Sequence, residues 1–275
     1  MSFSEAFKYP FNNLPRVLMI TLAYAMIIAV LFALMLNNLS NTSIIILSAI
    51  IGVSQALFLT GYSVRMLRTI SNGDEAAPPF QIIEDIGQGI RLVIASIAYL
   101  MPALFMFLVV VAIGGLGSGS RSGSGGLALA MLCVILLIIP VIFLLGWALQ
   151  VAIVRYAIEG AGLYEYSTNI RIVRQNIRAM FSLLFHQLLL GIVYGILTWI
   201  VNSIYQGIVN PMIKLSTAQS IIVMLLTIGA ILSTALSIMQ QFSGYHLLAQ
   251  FGMRIGLGPE KPKPIDPDTY TPTDD

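Results

Sequence analysis

Residues 127–150 read LALAMLCVILLIIPVIFLLGWALQ, and no charged side chain interrupts them. A helix needs about 20 consecutive apolar residues to cross the hydrocarbon core of a membrane. The stretch is long enough for one crossing, and it is too long to be a typical strand or a short core helix. It therefore predicts a membrane-spanning helix.

The same pattern recurs along the chain. The first long uncharged run, 17–64, has room for two helices, because the polar segment 37–43 divides it. We predict an all-α, polytopic integral membrane protein with six transmembrane helices, arranged as three two-helix units. The predicted spans are residues 17–36, 44–64, 92–113, 127–150, 180–201 and 219–242.

The composition excludes several classes of protein. Charged residues make up 9% of the 275 residues and hydrophobic residues 57%, whereas a soluble domain carries about 25% charged residues. An ordinary soluble enzyme, a nucleic-acid-binding domain and a disordered chain are excluded on this ground. The net charge of +2 selects no partner, and the single cysteine, Cys133, can form neither an intramolecular disulfide nor a cysteine metal site.

The basic residues predict the orientation. Six spans place both termini on one side, and that side holds 12 of the 14 Lys and Arg residues, while only Arg121 and Lys214 lie on the other. Basic residues concentrate in cytoplasmic loops. We therefore expect a multipass protein of the plasma (cytoplasmic) membrane with both termini in the cytoplasm.

An internal repeat is predicted, with units 1–76, 77–161 and 162–255 and a disordered cytoplasmic tail, 256–275. A small or turn-forming residue precedes a basic residue at the start of each unit, and a basic or aromatic group marks each end. The alternative is that basic edges and interfacial tyrosines recur in any multispan protein. The starts are Asn13-Leu14-Pro15-Arg16, Gly89-Ile90-Arg91 and Asn176-Ile177-Arg178, and the ends are Gly61–Arg65, Val151–Tyr156 and Gly244-Tyr245-His246.

Short amphipathic helices are predicted at the cytoplasmic surface. One has apolar residues every three to four positions from Leu163 to Ile177, and Arg171, Arg174 and Arg178 share another face of it. We predict that these arginines bind lipid headgroups, the alternative being that they only fix the topology. Two shorter examples contain Phe3, Phe7 and Phe11, and Ile82, Ile83 and Ile86.

Polar and helix-breaking residues inside the spans suggest further sites. Pro102 and Pro140 lie near mid-span in neighbouring helices, where each removes a backbone hydrogen bond and kinks its helix. Together they could open a cavity, and the alternative is curvature without function. His186 and Gln187 are predicted to make a buried polar contact, either lining a cavity or joining two helices.

Gly191 and Gly195 form a small-xxx-small pattern, which lets helix backbones approach closely. We expect this pattern to serve helix packing within the chain more than dimerisation.

No set of residues predicts catalysis. The two histidines have no carboxylate at a useful spacing, and no predicted span contains Asp, Glu, Lys or Arg. We expect no enzymatic activity, no metal, no cofactor and no nucleic-acid partner. The expected partners are membrane lipids or another membrane protein. The favoured function is a non-enzymatic scaffold or accessory subunit, and the alternative is a carrier or permease-like protein for a neutral or amphiphilic solute.

The end of the first unit also carries a resemblance. Gly61-Tyr62-x-x-Arg65, followed by Arg68, Gly73, Pro78-Pro79 and a mid-span proline, resembles the multipass membrane family called domain of unknown function 4013. The resemblance covers most of residues 5–255. It implies a polytopic bacterial or archaeal membrane protein, and it supplies no activity and no catalytic residue. The third unit departs from the pattern, because Leu248 stands where an arginine is expected.

Overall fold

The computed structural model describes residues 1–36, 41–117, 124–214 and 219–257. Within these ranges the secondary structure is helical and contains no strand, which confirms the all-α prediction. The helices are α1 (Phe3–Asn12), α2 (Leu14–Leu36), α3 (Asn41–Ser71), α4 (Ile82–Gly117), α5 (Ser124–Glu159), α6 (Tyr166–Gln175), α7 (Ile177–Lys214) and α8 (Gln219–Arg254).

Six of these helices contain the six predicted spans. Among the described residues, three segments are long and apolar enough to cross a membrane, namely Ile82–Val109 in α4, Ile138–Glu159 in α5 and Ile177–Ile208 in α7. A shorter apolar segment, Leu14–Ile27, lies in α2. The prediction of a membrane protein with apolar helices is thus supported.

The surface of these helices is apolar. On α4, Ile94, Ile97 and Phe105 are exposed, and on α7, Phe185 and Trp199 are exposed. A soluble monomer rarely exposes such contiguous apolar area. A lipid environment accounts for this surface, because lipid tails solvate apolar side chains that water does not.

Helices α3, α5 and α8 contact one another and form the inside of the bundle. The rings of Tyr62 on α3 and Phe242 on α8 lie 6.2 Å apart, centroid to centroid. The Arg68 Nε on α3 donates to the Ala157 carbonyl of α5 at 2.8 Å. A Cβ placed on Gly252 of α8 would lie 2.5 Å from Val154 Cγ1 of α5, so these two helices also approach closely.

The other helices surround this trio in a regular order. Helix α2 packs against α8 and α3, α4 packs against α3 and α5, and α7 packs mainly against α8. The short helix α1 lies on α8, and the short helix α6 lies on α5. The beginning of each predicted unit therefore lies on the last helix of another unit.

The short helices α1 and α6 end in the same way. Helices α1 and α6 each have ten residues and end at an asparagine, Asn13 or Asn176, with φ of −109° or −117°. In both, the asparagine Nδ2 donates at 3.0 Å to the carbonyl four residues back, which also accepts the backbone N–H of the same asparagine. The amphipathic helix expected to continue through Arg178 is therefore interrupted at Asn176.

The second unit has no such break. The stretch that contains Ile82, Ile83 and Ile86 forms the first turns of α4 and continues directly into its apolar part. Three features of the sequence lie outside the described residues: the predicted tail from 258 onward, the glycine- and serine-rich stretch 118–123, and the side chain of Cys133.

Candidate functional site

The strongest polar contact joins α3 to α4. Asp85, in the first turn of α4, is completely buried, and its carboxylate faces Arg65 near the end of α3. The Arg65 Nε donates to Asp85 Oδ1 at 2.7 Å and Nη2 donates to Oδ2 at 2.5 Å. The backbone N–H of Gln81 also donates to Oδ2, at 3.2 Å. This two-pronged geometry is the strong form of a charged hydrogen bond.

Two glycines allow this contact. A Cβ on Gly61 would overlap the Asp85 carbonyl oxygen and would lie 2.8 Å from the Gly89 nitrogen. A Cβ on Gly89 would overlap the carbonyl oxygen of Leu57 and would lie 2.7 Å from its carbon. The backbones of α3 and α4 touch at this crossing, which brings Asp85 within reach of Arg65. We call this region the α3–α4 junction.

A second polar contact joins α5 to α6, and Arg155 is at its centre. The Arg155 Nη1 donates to Glu165 Oε2 at 2.9 Å and to Asn169 Oδ1 at 3.0 Å, and Nε donates to Glu159 Oε2 at 3.1 Å. The guanidinium lies against the backbone at Gly162, where a Cβ would come within 2.6 Å of its carbon. Gly162 also has a φ of +84°, which favours glycine. We call this region the α5–α6 junction.

Asn169 links this junction to α4. Its side chain is completely buried. Its Nδ2 donates to the Tyr99 hydroxyl at 2.7 Å and to the Gly162 carbonyl at 2.8 Å. With Oδ1 accepting from Arg155, the amide has a partner on each side, as a buried polar group requires.

A third polar contact joins α8 to α1, and we call this region the third junction. The Ser2 N–H donates to Gln250 Oε1 at 2.7 Å, and Gln250 Nε2 donates to Glu5 Oε2 at 3.1 Å. The His246 ring lies 4.8 Å from the Tyr9 ring. Burial lowers the pKa of His246 from its usual value, and the carboxylates of Glu5 and Glu75 partly oppose the shift.

A cavity of about 540 Å³ opens beside the α5–α6 junction. Its polar lining consists of Arg91 from α4, Tyr156 from the end of α5, and Tyr164 and Glu165 from the following turn. The Arg91 Nη1 donates to the Tyr156 hydroxyl at 3.2 Å, and the Tyr164 hydroxyl donates weakly to the Arg91 carbonyl at 3.4 Å. The rest of the lining is the segment 160–163, which contains the positive-φ residues Gly160 and Gly162.

The polar groups of the junctions and the cavity differ in what they can bind. In the described ranges no group of three or more His, Cys, Asp or Glu side chains could hold a metal ion. Asp85 is used by Arg65 and cannot reach a solute from its buried position. The Arg91 and Glu165 side chains face an open cavity and can bind a charged group. The groups at the cavity are therefore suited to binding a ligand, and the buried pair of Arg65 and Asp85 is suited to holding α3 and α4 together.

The three arginines predicted to bind headgroups are exposed. Arg171 and Arg174 lie on α6 and Arg178 lies in the first turn of α7. None forms a hydrogen bond or ion pair with another residue in the described part of the chain. The opposite face of α6 is used internally, because Asn169 and Val173 are completely buried. Headgroup binding by these arginines stays a prediction.

Pro102 and Pro140 both occupy exposed positions. Helices α4 and α5 continue through them. Buried residues next to them, Ala103 and Ile138, contribute to the packed side. Neither proline lines the cavity beside the α5–α6 junction. The mid-span cavity stays a prediction.

His186 and Gln187 make different contacts. The His186 Nδ1 lies 2.6 Å from the Ser182 carbonyl, one turn earlier in the same helix. The Gln187 Oε1 accepts from Gln150 Nε2 on α5 at 3.4 Å, which is a weak contact between two helices. The Gln150 Oε1 is buried and has no partner among the described residues.

The two glycines of the small-xxx-small pattern are not equivalent. A Cβ on Gly191 would lie 4.0 Å from Gln240 Nε2 of α8, whereas a Cβ on Gly195 would meet nothing within 4 Å. The close approach of α7 and α8 occurs further along, where a Cβ on Gly229 would lie 2.7 Å from the Tyr205 ring.

Several of the residues at the junctions were not singled out as sites by the sequence. Asp85 and Glu165 are ordinary charged residues of polar segments, and Asn169 is one amide among many. The sequence did contain a signal that could have identified the two arginines as contact residues. Arg65 and Arg155 occupy the same place at the ends of two predicted units, and each bonds a carboxylate at the start of the next unit.

Comparison with known proteins gives a family and no function. The model of the family described as protein of unknown function (DUF4013) matches residues 42–203. The chain belongs to this family, as the resemblance predicted. No curated protein and no solved structure matches the chain.

Proposed function

We propose that the chain crosses the cell membrane six times, with both termini in the cytoplasm, and acts as a non-enzymatic scaffold or accessory subunit that binds lipid or another membrane protein. The three units of two helices are then related about an axis along the membrane normal. The three junctions lie at the cytoplasmic end of the bundle, where each ties the start of one unit to the last helix of another.

The observation that carries this proposal is the packing of α3, α5 and α8. Val64, Ala148 and Leu247 are completely buried in this part of the bundle. Of the charged groups nearby, Arg65 is paired with Asp85 and Arg68 donates to the Ala157 carbonyl. A solute path needs polar groups or space along the centre, whereas a scaffold needs a rigid centre and a usable surface. The packing favours the second.

The surface around α6 offers such a binding face. Arg171, Arg174 and Arg178 are exposed beside the partly exposed apolar residue Ile177. Each basic residue near an anionic leaflet contributes about 1 kcal/mol of attraction, so three contribute about 3 kcal/mol before losses. The face therefore suits anionic lipid headgroups.

Reporter fusions test the topology. Fusions after residues 40, 120 and 212 should report the outside, and fusions after residues 75, 165 and 270 should report the cytoplasm. The expectation follows from the 12-to-2 distribution of the basic residues across the two sides. Opposite results at any two positions contradict the six-span arrangement.

Cysteine labelling separates the scaffold from the carrier. In a Cys133→Ala background, Val154→Cys and Val64→Cys should resist a water-soluble maleimide, because both positions are completely buried. Gly87→Cys, at an exposed position where an added Cβ meets nothing within 4 Å, is the control that should react. Labelling of Val154→Cys or Val64→Cys at the rate of the control, in a folded variant, favours the carrier.

Lipid retention tests the arginine face. Purification in mild detergent with mass spectrometry of lipids and proteins should find anionic lipid with the wild type. Replacing Arg171, Arg174 and Arg178 by Gln should lower that retention, with fusions confirming unchanged topology. Unchanged retention with intact topology leaves the arginines as topology determinants only.

A further inference from the structure

The cavity beside the α5–α6 junction has charged groups of both signs. Arg91 is exposed and supplies a guanidinium, and Glu165 supplies a carboxylate whose side chain is 51% exposed. Only Oε2 of Glu165 is bonded to Arg155, and Oε1 has no partner among the described residues. Both a cation and an anion are therefore available to one occupant.

The hydroxyl groups extend the set of donors on the cationic side. The Tyr156 hydroxyl accepts from Arg91 and keeps its own hydrogen free to donate. The Tyr164 hydroxyl makes only the weak 3.4 Å contact with the Arg91 carbonyl, and its ring is half exposed. A phosphate placed here would meet the guanidinium and two hydroxyl groups, which is a suitable set of donors for its oxygens.

An apolar helix face leads away from the cavity. Ile94, three residues after Arg91, lies on the same face of α4, and it is exposed. Ile97 and Met101 continue the exposed apolar surface along the helix. An occupant with its polar group in the cavity can thus lay a hydrocarbon chain along α4.

We propose that this cavity binds the headgroup of a zwitterionic phospholipid with a primary ammonium, as in phosphatidylethanolamine. The phosphate contacts Arg91 and the two tyrosine hydroxyl groups, and the ammonium donates to Glu165. A trimethylated ammonium has no N–H to donate, so phosphatidylcholine lacks the second contact. Phosphatidylglycerol supplies the phosphate and no cation for Glu165.

This inference rests on the proposed function only in requiring that the junctions lie at headgroup level. It does not involve Arg171, Arg174 and Arg178, which lie outside the cavity lining. The two sites can therefore fail separately.

The test uses the full-length protein in vesicles that contain equal amounts of phosphatidylethanolamine, phosphatidylcholine and phosphatidylglycerol. After extraction in mild detergent, mass spectrometry measures the retained lipids. Phosphatidylethanolamine should exceed phosphatidylcholine by about tenfold, because a hydrogen bond to a charged group contributes about 1.5 kcal/mol or more.

Two variants assign the contacts. Glu165→Gln should remove the preference for phosphatidylethanolamine over phosphatidylcholine, and its Oε1 can still accept from Arg155. Arg91→Gln should lower the retention of both phosphatidylethanolamine and phosphatidylcholine, because it removes the phosphate contact. Thermal melting establishes that each variant is folded, which is expected because Arg91 and Glu165 are exposed. Tyr164→Phe should give a smaller loss.

The triple Gln variant of Arg171, Arg174 and Arg178 is the matched control, and it should keep the phosphatidylethanolamine preference. Equal retention of phosphatidylethanolamine and phosphatidylcholine by the wild type overturns the proposal. A preference that survives both Glu165→Gln and Arg91→Gln also overturns it. If the preference holds while the topology fusions fail, the six-span proposal falls and the headgroup site stands.

Discussion

The α3–α4 and α5–α6 junctions use the same residue type for the same task. In each, an arginine near the end of one predicted unit bonds a carboxylate near the start of the next, Arg65 with Asp85 and Arg155 with Glu165. At the first junction the carboxylate is completely buried and the helix backbones touch at glycines. At the second, the carboxylate side chain is 51% exposed and a cavity opens beside it.

The difference shows how one arrangement can serve either structure or binding. A buried arginine and carboxylate must satisfy each other, because an unpaired charge there is costly. A half-exposed carboxylate keeps free lone pairs that a ligand can use. The first junction should therefore dominate the stability of the fold, and the second should tolerate substitution and affect binding.

The largest effect is expected at the helix crossing of the α3–α4 junction. Gly89→Ala should prevent normal folding or strongly lower the melting temperature, because its Cβ would overlap the Leu57 carbonyl oxygen, which belongs to a helix backbone. Ordinary side-chain overpacking costs about 1–3 kcal/mol, and a backbone clash exceeds this because no rotamer relieves it.

The matched control lies two residues earlier in α4. A Cβ on Gly87 would meet nothing within 4 Å, so Gly87→Ala should be neutral or slightly stabilising. Fluorescence-detected size-exclusion chromatography and thermal melting compare the two variants. Equal behaviour of Gly87→Ala and Gly89→Ala would show that the close crossing is not formed.

The next largest effect is a difference in stability between variants of the two carboxylates, Asp85 and Glu165. Asp85→Asn should lower the free energy of unfolding by about 3 kcal/mol or more, because the buried Arg65 charge loses its partner. Glu165→Gln should lower it by about 1 kcal/mol or less, since its side chain is half exposed and Arg155 keeps Glu159.

A double variant sharpens this test. Arg65→Met with Asp85→Leu should recover part of the stability that Asp85→Asn loses, because no unpaired charge remains. Thermal or denaturant unfolding in one detergent gives all the values. A larger loss for Glu165→Gln than for Asp85→Asn would reverse the assignment of the two junctions.

A smaller loss is expected within the α5–α6 junction. Asn169→Ala should lower the free energy of unfolding by about 1–3 kcal/mol, because it leaves the Tyr99 hydroxyl and the Gly162 carbonyl without their buried partner. Asn176→Ala is the control, since its Nδ2 bonds only the carbonyl of Ile172 in the same helix. Similar losses for the two variants would contradict a special role of Asn169.

The helices could be predicted from the sequence because the length of each uncharged apolar run can be read from it directly. The stretches around residues 92–113 and 180–201 lie inside α4 and α7. The uncharged runs required no knowledge of packing, since lipid imposes the same demand on every span. The arginines at the ends of the units were also noted in the sequence, but only as residues that indicate the orientation in the membrane.

Sequence reasoning did not find the partners of these arginines. Asp85 lies 20 residues after Arg65, whereas Glu165 lies ten residues after Arg155. No fixed spacing relates the two, because the segment between α3 and α4 is longer than that between α5 and α6. Asp85 is buried and its neighbour Glu84 is exposed. This difference depends on the close crossing of α3 and α4 at Gly61 and Gly89, which cannot be read from a single sequence.

The smallest effect concerns the third junction, where Leu248 stands in place of the arginine and His246 lies two residues earlier. His246 lies four residues beyond the predicted span 219–242, and it faces Tyr9 of α1 and Gln250 of its own helix. Burial lowers its pKa in the folded protein, more than the carboxylates of Glu5 and Glu75 raise it. The unfolded chain has a histidine pKa of about 6.5.

Acid should therefore weaken the third junction. Above about pH 6.5 His246 is neutral in both states, and as the pH falls below this value the unfolded state binds the proton more readily. The melting temperature should fall modestly between pH 7.5 and 5.5, and His246→Gln should reduce this fall because glutamine does not titrate. If His246→Gln and the wild type lose stability equally over this range, the third junction is not held by a neutral histidine, and the docking of α1 must then rest on the Gln250 contacts with Ser2 and Glu5.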